Sequence, residues 1–321
     1  MDDQKNDDLA TGDSGASAGE AKAKPDENVA DDRVYARAWL NVAFWILAVI
    51  LTLASVVYQL VTGPTHPING KAIIAGETIK YKLLRTWEGT TDAEIKLTCP
   101  DKISGSIQWK RFGTTDDYRI DRMEYDGKQL IARLPHQPPA GKLEYYVVLR
   151  GESSEVKLPP NDRPAIIRFH GLVPRWVLIP HILLMFTAML FAIRVLIDTI
   201  KPMGLFVRYS WLTFYTLTVG GMCFGMFMQR YAFGQFWTGI PFGFDLTDNK
   251  TLIAWVAWIV ALYFMTFAKN TSESRKRLAA FIASLIMMII FLIPHSLCGS
   301  QLDYSKLEQG VAPSEAVATG M

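Results

Sequence analysis

The sequence predicts an α-helical membrane bundle of five transmembrane helices with an inserted antiparallel β-sandwich domain. Three observations predict it. Half of the 321 residues are apolar and only 20% are charged. The apolar residues are gathered into blocks long enough for a bilayer, and between the first two blocks residues 64–174 change to mixed charge and an apolar period of two.

The chain opens on an acidic stretch. Residues 1–37 carry ten Asp or Glu against five Lys or Arg, a net −5 that leaves +7 for the rest of a chain whose total is +2. This stretch is rich in Ala, Gly and Ser and nearly free of bulky apolar side chains, so nothing offsets the entropy of ordering it. A disordered cytoplasmic arm over 1–37 is expected.

A hydrocarbon layer about 30 Å thick takes roughly 20 helical residues, because every backbone polar group must be bonded within the segment. The first such segment, within 38–63, carries no charge from Trp39 to Thr62. It is too long for a signal peptide, follows the acidic arm, and has no small-residue cleavage site after it, so it is expected to remain as an anchor. Four more helices are expected within 175–302, at about 176–198, 209–229, 251–268 and 278–297. Arg194 is expected to snorkel at the end of the second, and residues 295–302 to extend the fifth.

Lys and Arg near the helix ends orient the bundle. One side collects Arg33, Arg37, Arg194, Lys201, Arg208, Lys269, Arg275, Lys276 and Arg277; the other has Arg230, Lys250 and Lys306, nine against three. The amino terminus is therefore expected in the cytoplasm, with residues 64–174 and a flexible tail over 303–321 outside. Trp39, Trp176, Trp211 and Trp237 lie near segment ends, where interfacial anchors belong.

Within 64–174, Ile79, Tyr81 and Leu83 alternate with lysines, and Ala93, Ile95, Leu97 and Cys99 with polar residues. Ile107 and Trp109 continue the pattern, as do Leu143, Tyr145, Val147 and Leu149. Such alternation marks strands with one wet face. Asp126-Gly127 reads as a hairpin turn, because Gly accepts the positive φ that turn needs. Cys99 is the only cysteine of this stretch, which excludes an internal disulfide there. Seven or eight short strands at this spacing predict the sandwich.

Residues 134–146, Leu-Pro-His-Gln-Pro-Pro-Ala-Gly-Lys-Leu-Glu-Tyr-Tyr, resemble a late strand and turn of immunoglobulin-like or fibronectin type III-like domains. With the five-segment layout, the chain resembles bacterial polytopic inner-membrane proteins of unassigned activity that carry such an extracytoplasmic domain. The resemblance implies a role in binding another protein or spacing it from the membrane.

Ionisable residues inside a bilayer are costly and become candidates for function. The second segment opens on Leu-Ile-Pro-His at 178–181 and the fifth ends on Leu-Ile-Pro-His at 292–295. The two run in opposite directions, so His181 and His295 fall near the outer face, where facing imidazoles can bind a haem iron, another metal or a quinone headgroup. The plainer alternative is an interfacial histidine bonded to a loop carbonyl. Residues 230–250 carry three glycines, five Phe or Trp and Pro241, which suits a loop folded back into the interface. Arg230, Asp245 and Asp248 would share an outer vestibule with the histidines; alternatively Asp248 or Thr247 caps the fourth helix and Arg230 snorkels. Gly221 and Gly225 form a Gly-x-x-x-Gly step expected to pack helices closely.

Three cysteines exclude a disulfide scaffold, and a net charge of +2 gives no footprint for nucleic acid. No P-loop, nucleophile elbow, His-Glu-x-x-His or dinucleotide glycine pattern occurs, and no catalytic or metal residue is expected. The leading expectation is a non-catalytic subunit or scaffold of the bacterial inner membrane, bound to the lipid bilayer and engaging an envelope or membrane protein partner through its sandwich. A redox-linked protein with haem, metal or quinone near the outer face is the alternative. A transporter is weaker still, for want of an inverted repeat or paired charges inside a helix.

Overall fold

Period-two segments become strands and apolar blocks become helices along most of the chain. The computed structural model describes residues 27–201, 203–294 and 299–318, with backbone alone for 27–35 and 318. Two units divide the chain, residues 1–43 and 44–321. The acidic arm up to residue 26 lies outside the described residues. Helix α1 (Glu27–Thr62) starts ahead of the expected boundary at 37.

Eleven strands follow: β1 (Ile68–Ile74), β2 (Glu77–Leu83), β3 (Thr86–Glu88), β4 (Ala93–Thr98), β5 (Ser104–Arg111), β6 (Arg119–Arg122), β7 (Glu124–Tyr125), β8 (Gln129–Leu134), β9 (Lys142–Arg150), β10 (Glu155–Leu158) and β11 (Ala165–His170). β1 and β2 form a hairpin, β4-β8-β7 a three-stranded sheet, and β3-β11-β9-β5-β6 a larger sheet in which β10 also pairs with β9. The expected inward residues Ile79, Tyr81, Leu83, Ile95, Leu97, Ile107, Leu143, Tyr145, Val147 and Leu149 share one core. Each such side chain contributes about 1.5–3 kcal/mol of burial.

The Asp126-Gly127 turn joins β7 to β8, with Gly127 at φ 94°. The Asp126 carboxylate accepts from the amides of Lys128 and Gln129, both at 2.9 Å. β6 belongs to the larger sheet, so the chain changes sheets at Met123. One pairing departs from the antiparallel expectation: β3 runs parallel to β11. More than 75 residues separate the two strands, so no hairpin constrains their direction.

Beyond the β domain come α2 (Arg175–Ile200), α3 (Phe206–Leu217), a π-helical stretch (Thr218–Phe224), α4 (Gly225–Phe233), α5 (Leu246–Leu262) with a π-turn (Tyr263–Phe267), and α6 (Glu273–Leu292). Among the described residues, four helices are long and apolar enough to cross a membrane: Ala36–Thr62, Arg175–Ile200, Phe206–Phe233 and Leu246–Phe267. α6 begins with Glu273, Arg275, Lys276 and Arg277, and this charged opening distinguishes it from the four. It does not continue through 302 as expected. Ile293 is extended, at φ −72° and ψ 119°, because Pro294 disfavours the helical conformation before it.

The carbonyls left open at that end take donors from other helices. Lys250 Nζ donates to the Ile293 carbonyl at 2.9 Å, and Gln59 donates to that of Phe291. Lys250, expected on the outer flank, is thus a buried residue of α5. Arg194 is fully buried rather than snorkelling. Its guanidinium lies over the rings of Tyr209, Trp45 and Phe44, at 5.2, 5.6 and 5.8 Å from their centroids, and 3.4 Å from Asp198. Asp198 in turn accepts from the amides of Met203 and Leu205, both at 2.9 Å, which fixes the bend into α3.

The tail expected to be flexible is folded over its described part. β12 (Gln301–Leu302) pairs with β13 (Val317–Ala318), and α7 (Tyr304–Glu308) lies between them. Buried Leu302, Tyr304 and Ala316 make a small core, and the segment docks on the β domain. The Leu302 amide donates to the Ala140 carbonyl at 3.0 Å. Asp303 caps α7 by accepting from Ser305 and Lys306.

Candidate functional site

A cavity of about 330 Å³ lies where the end of β11, the start of α2, the α4–α5 loop and residue 299 meet. Its polar lining includes Glu88, Arg168, His170, His181, Asp245 and Asp248. A second, more apolar cavity of about 230 Å³ lies against α1, α2, α5 and α6. The two share Leu178, His181, Met185, Met228 and Thr251 as walls, so a cup that carries these polar groups adjoins a more apolar chamber.

The carboxylates of the cup are engaged. Asp245 caps α5 by accepting from the Thr247 amide at 2.7 Å, and its other oxygen accepts from the Ser300 amide and hydroxyl at 2.6 and 2.7 Å. Asp248 accepts from the Thr238 amide and hydroxyl at 2.7 and 3.0 Å. Gln229 Nε2 donates to the hydroxyls of Thr238 and Ser300, at 2.7 and 3.2 Å. Arg168 Nη2 donates to the Ser300 carbonyl at 2.7 Å. Burial pushes the Arg168 pKa below the usual arginine value, and attraction to Asp245 opposes that shift. This network ties the β domain, the α4–α5 loop and the segment after α6 into one piece, and its carboxylates hold the loop.

His181 stands apart from that network. Its Nδ1 is 2.8 Å from the Gly220 carbonyl. A carbonyl only accepts, so Nδ1 carries a proton; in the neutral ring Nε2 then keeps a lone pair. The carbonyl belongs to the π-helical stretch, where the Gly225 amide bonds the same oxygen; such bulges recur at functional sites.

Of the expected vestibule, the structure brings His181, Asp245 and Asp248 to one cavity. Arg230 does not join them: it is exposed, donates to the Gly234 carbonyl at the end of its own helix, and lies 5.5 Å from the Phe236 centroid. A helix end with unsatisfied carbonyls holds a cation there. His295 lies outside the described residues. Among the described residues no group of three or more His, Cys, Asp or Glu is placed to hold a metal ion.

The Gly-x-x-x-Gly step is used unevenly. A Cβ at Gly221 would sit 3.0 Å from the Thr251 methyl, and one at Gly225 3.7 Å from the His181 ring. The tightest approach falls on neighbouring Gly220, where a Cβ would meet that of Leu184 at 2.6 Å.

Sequence reasoning missed Arg168, Gln229, Thr238 and Ser300. Only Arg168 carried a signal, since it interrupts the apolar strand Ala165–His170; the others are ordinary polar residues brought together by the fold. No protein-family model matches the chain, and no curated protein matches it.

Proposed function

We propose that the chain is a five-span protein of the bacterial inner membrane, amino terminus in the cytoplasm, whose β domain is an extracytoplasmic sandwich presenting a docking edge to an envelope partner. The fifth span is supported by the folded tail. Residues 301–318 and the β domain touch, so they share one side of any bilayer. An even number of crossings must then separate them; α2, the Phe206–Phe233 helix and α5 supply three, and α6 is the fourth. Setting aside the buried Arg194 and Lys250, and adding Arg175 at the start of α2, leaves eight flanking cations on the cytoplasmic side against three outside, in line with the positive-inside rule.

One observation carries the docking role. β6 is the last strand of the larger sheet, all four of its residues are exposed, and Ile120 is 65% exposed. An open edge with an outward apolar side chain is a template for a partner's strand. The buried network at Arg168, Ser300 and Asp245 ties this sheet to the helices, as a non-catalytic scaffold requires. Photo-crosslinking from position 120 in intact cells tests it: a discrete protein adduct that disappears with a charge at Arg122→Glu supports the reading, and no adduct from position 120 contradicts it.

A second reading rests on His181. In the neutral ring an accepting Nε2, in the wall shared by the cup and the more apolar chamber, matches a quinol hydroxyl with its isoprenoid tail. Organic extraction of gently purified protein tests this: stoichiometric quinone lost in His181→Leu supports it, and its absence from the wild type contradicts it.

A further inference from the structure

We infer that Arg85, Lys142 and Arg168 form a binding site for a phosphate-class anion, carried by a phospholipid headgroup or by soluble phosphate. The three cations line a third cavity of about 170 Å³, together with Thr65, Phe112 and Ile166. Among the described residues that line it there is no carboxylate.

The strand register creates this concentration of charge. Arg168 of β11 and Lys142 of β9 are direct cross-strand partners, and like charges in that relation repel. Arg85 sits one residue before β3, and its carbonyl accepts from the Arg168 amide at 3.1 Å. The Nε of Arg85 is buried without a hydrogen-bond partner, and neither Arg85 nor Arg168 is within ion-pair distance of a carboxylate among the described residues. Burial lowers the pKa of both arginines, the direction expected where cations are gathered away from water. Asp245 attracts Arg168 from the adjoining cavity, but its oxygens already accept from Thr247 and Ser300. Lys142 Nζ reaches Gln301 at 3.2 Å and lies 5.5 Å from the Phe112 centroid.

Two guanidinium groups and an ammonium around a small cavity match a phosphate, whose oxygens accept several charge-assisted bonds. Thr65 follows α1 by three residues, so the cavity lies at the headgroup level of the topology proposed above. The lipid source rests on that topology; the soluble-phosphate source does not.

The test is thermal unfolding of the full-length protein at constant ionic strength. One arm titrates inorganic phosphate against chloride in detergent; the other compares nanodiscs of phosphatidylglycerol with nanodiscs of phosphatidylcholine. A rise in Tm in either arm is expected, the arm that responds identifying the source, and Arg85→Gln should weaken the response about tenfold. In chloride alone Arg85→Gln should leave Tm unchanged or raise it, because it relieves repulsion; a merely structural arginine would lower it. Lys142→Gln serves as the second variant. No rise in either arm, or a response that survives both substitutions, overturns the inference. If the lipid arm is silent while phosphate responds, the site stands without its membrane placement.

Discussion

The hydroxyl of Tyr304 donates to the carbonyl of Lys142 at 2.9 Å and accepts from the same residue's amide at 3.1 Å. A side chain from the end of the chain thus completes the hydrogen bonding at the first residue of strand β9, which is central to the larger sheet. Gln137 Oε1 lies 3.1 Å from the same hydroxyl, and Arg111 stacks 5.1 Å from the ring centroid while pairing with Glu308 at 2.7 Å. This clasp fastens the tail to the β domain.

Tyr304→Phe keeps the ring and removes the clasp's donor and acceptor. The Lys142 carbonyl keeps the Phe112 amide at 3.0 Å, while the Lys142 amide loses its bond to the hydroxyl, a loss of about 1–3 kcal/mol. Hydrogen exchange over residues 301–318 should accelerate, with that over β1 and β2 unchanged.

The clasp should loosen in acid. Arg111 beside Asp116 holds that carboxyl below the usual range, and bonds from Ser305 and Lys306 do the same for Asp303. A folded-state pKa below the unfolded one contributes stability that is present above the unfolded value, about 4, and lost as pH falls through the folded value. Exchange over 301–318 should therefore rise below pH 4, and Asp303→Asn should flatten that profile. At the alkaline end, burial pushes the Tyr304 pKa up to about 12. Its contribution is complete below the unfolded value near 10 and is lost as pH rises to 12; ultraviolet difference titration against Tyr304→Phe reads that ionisation.

The aromatic cage around Arg194 should tolerate no substitute. Arg194→Leu leaves Asp198 buried without its cation, a loss of about 3–5 kcal/mol. Arg194→Lys should not restore it, because an ammonium lacks the flat face that stacks on Tyr209 and Trp45. Tm and monodispersity in detergent should fall together in both variants.

Close packing at the π-helical stretch separates two glycines that look alike in sequence. Gly220→Ala should destabilise by about 1–3 kcal/mol through overlap with Leu184, while Gly225→Ala, whose Cβ would make only ordinary van der Waals contact with His181, should unfold like the wild type.

What could be read in the sequence is what depends on neighbours along the chain. Ile79, Tyr81 and Leu83 announce a half-buried strand by period alone, and residues 39–62 announce a span by length and composition. His181, Asp245 and Asp248 reach one cavity because helix ends at one level of a bundle are near one another in any arrangement. Arg194 was misplaced because its partners Phe44, Trp45 and Tyr209 come from other helices. Lys142 opposite Arg168 depends on strand register across the sheet, and Tyr304 on Lys142 depends on a contact spanning 162 residues. No local period encodes either.

The central claim is that five spans put the β domain and the tail outside together. Single cysteines at Ile73, exposed on β1, at Gln309, after α7, and at Ser274, at the start of α6, test it most directly, with the wild type as the blank. In intact spheroplasts a membrane-impermeant maleimide should label positions 73 and 309 at once and position 274 only after permeabilisation. Labelling at 274 from outside, or protection of 309 while 73 reacts, would contradict the account.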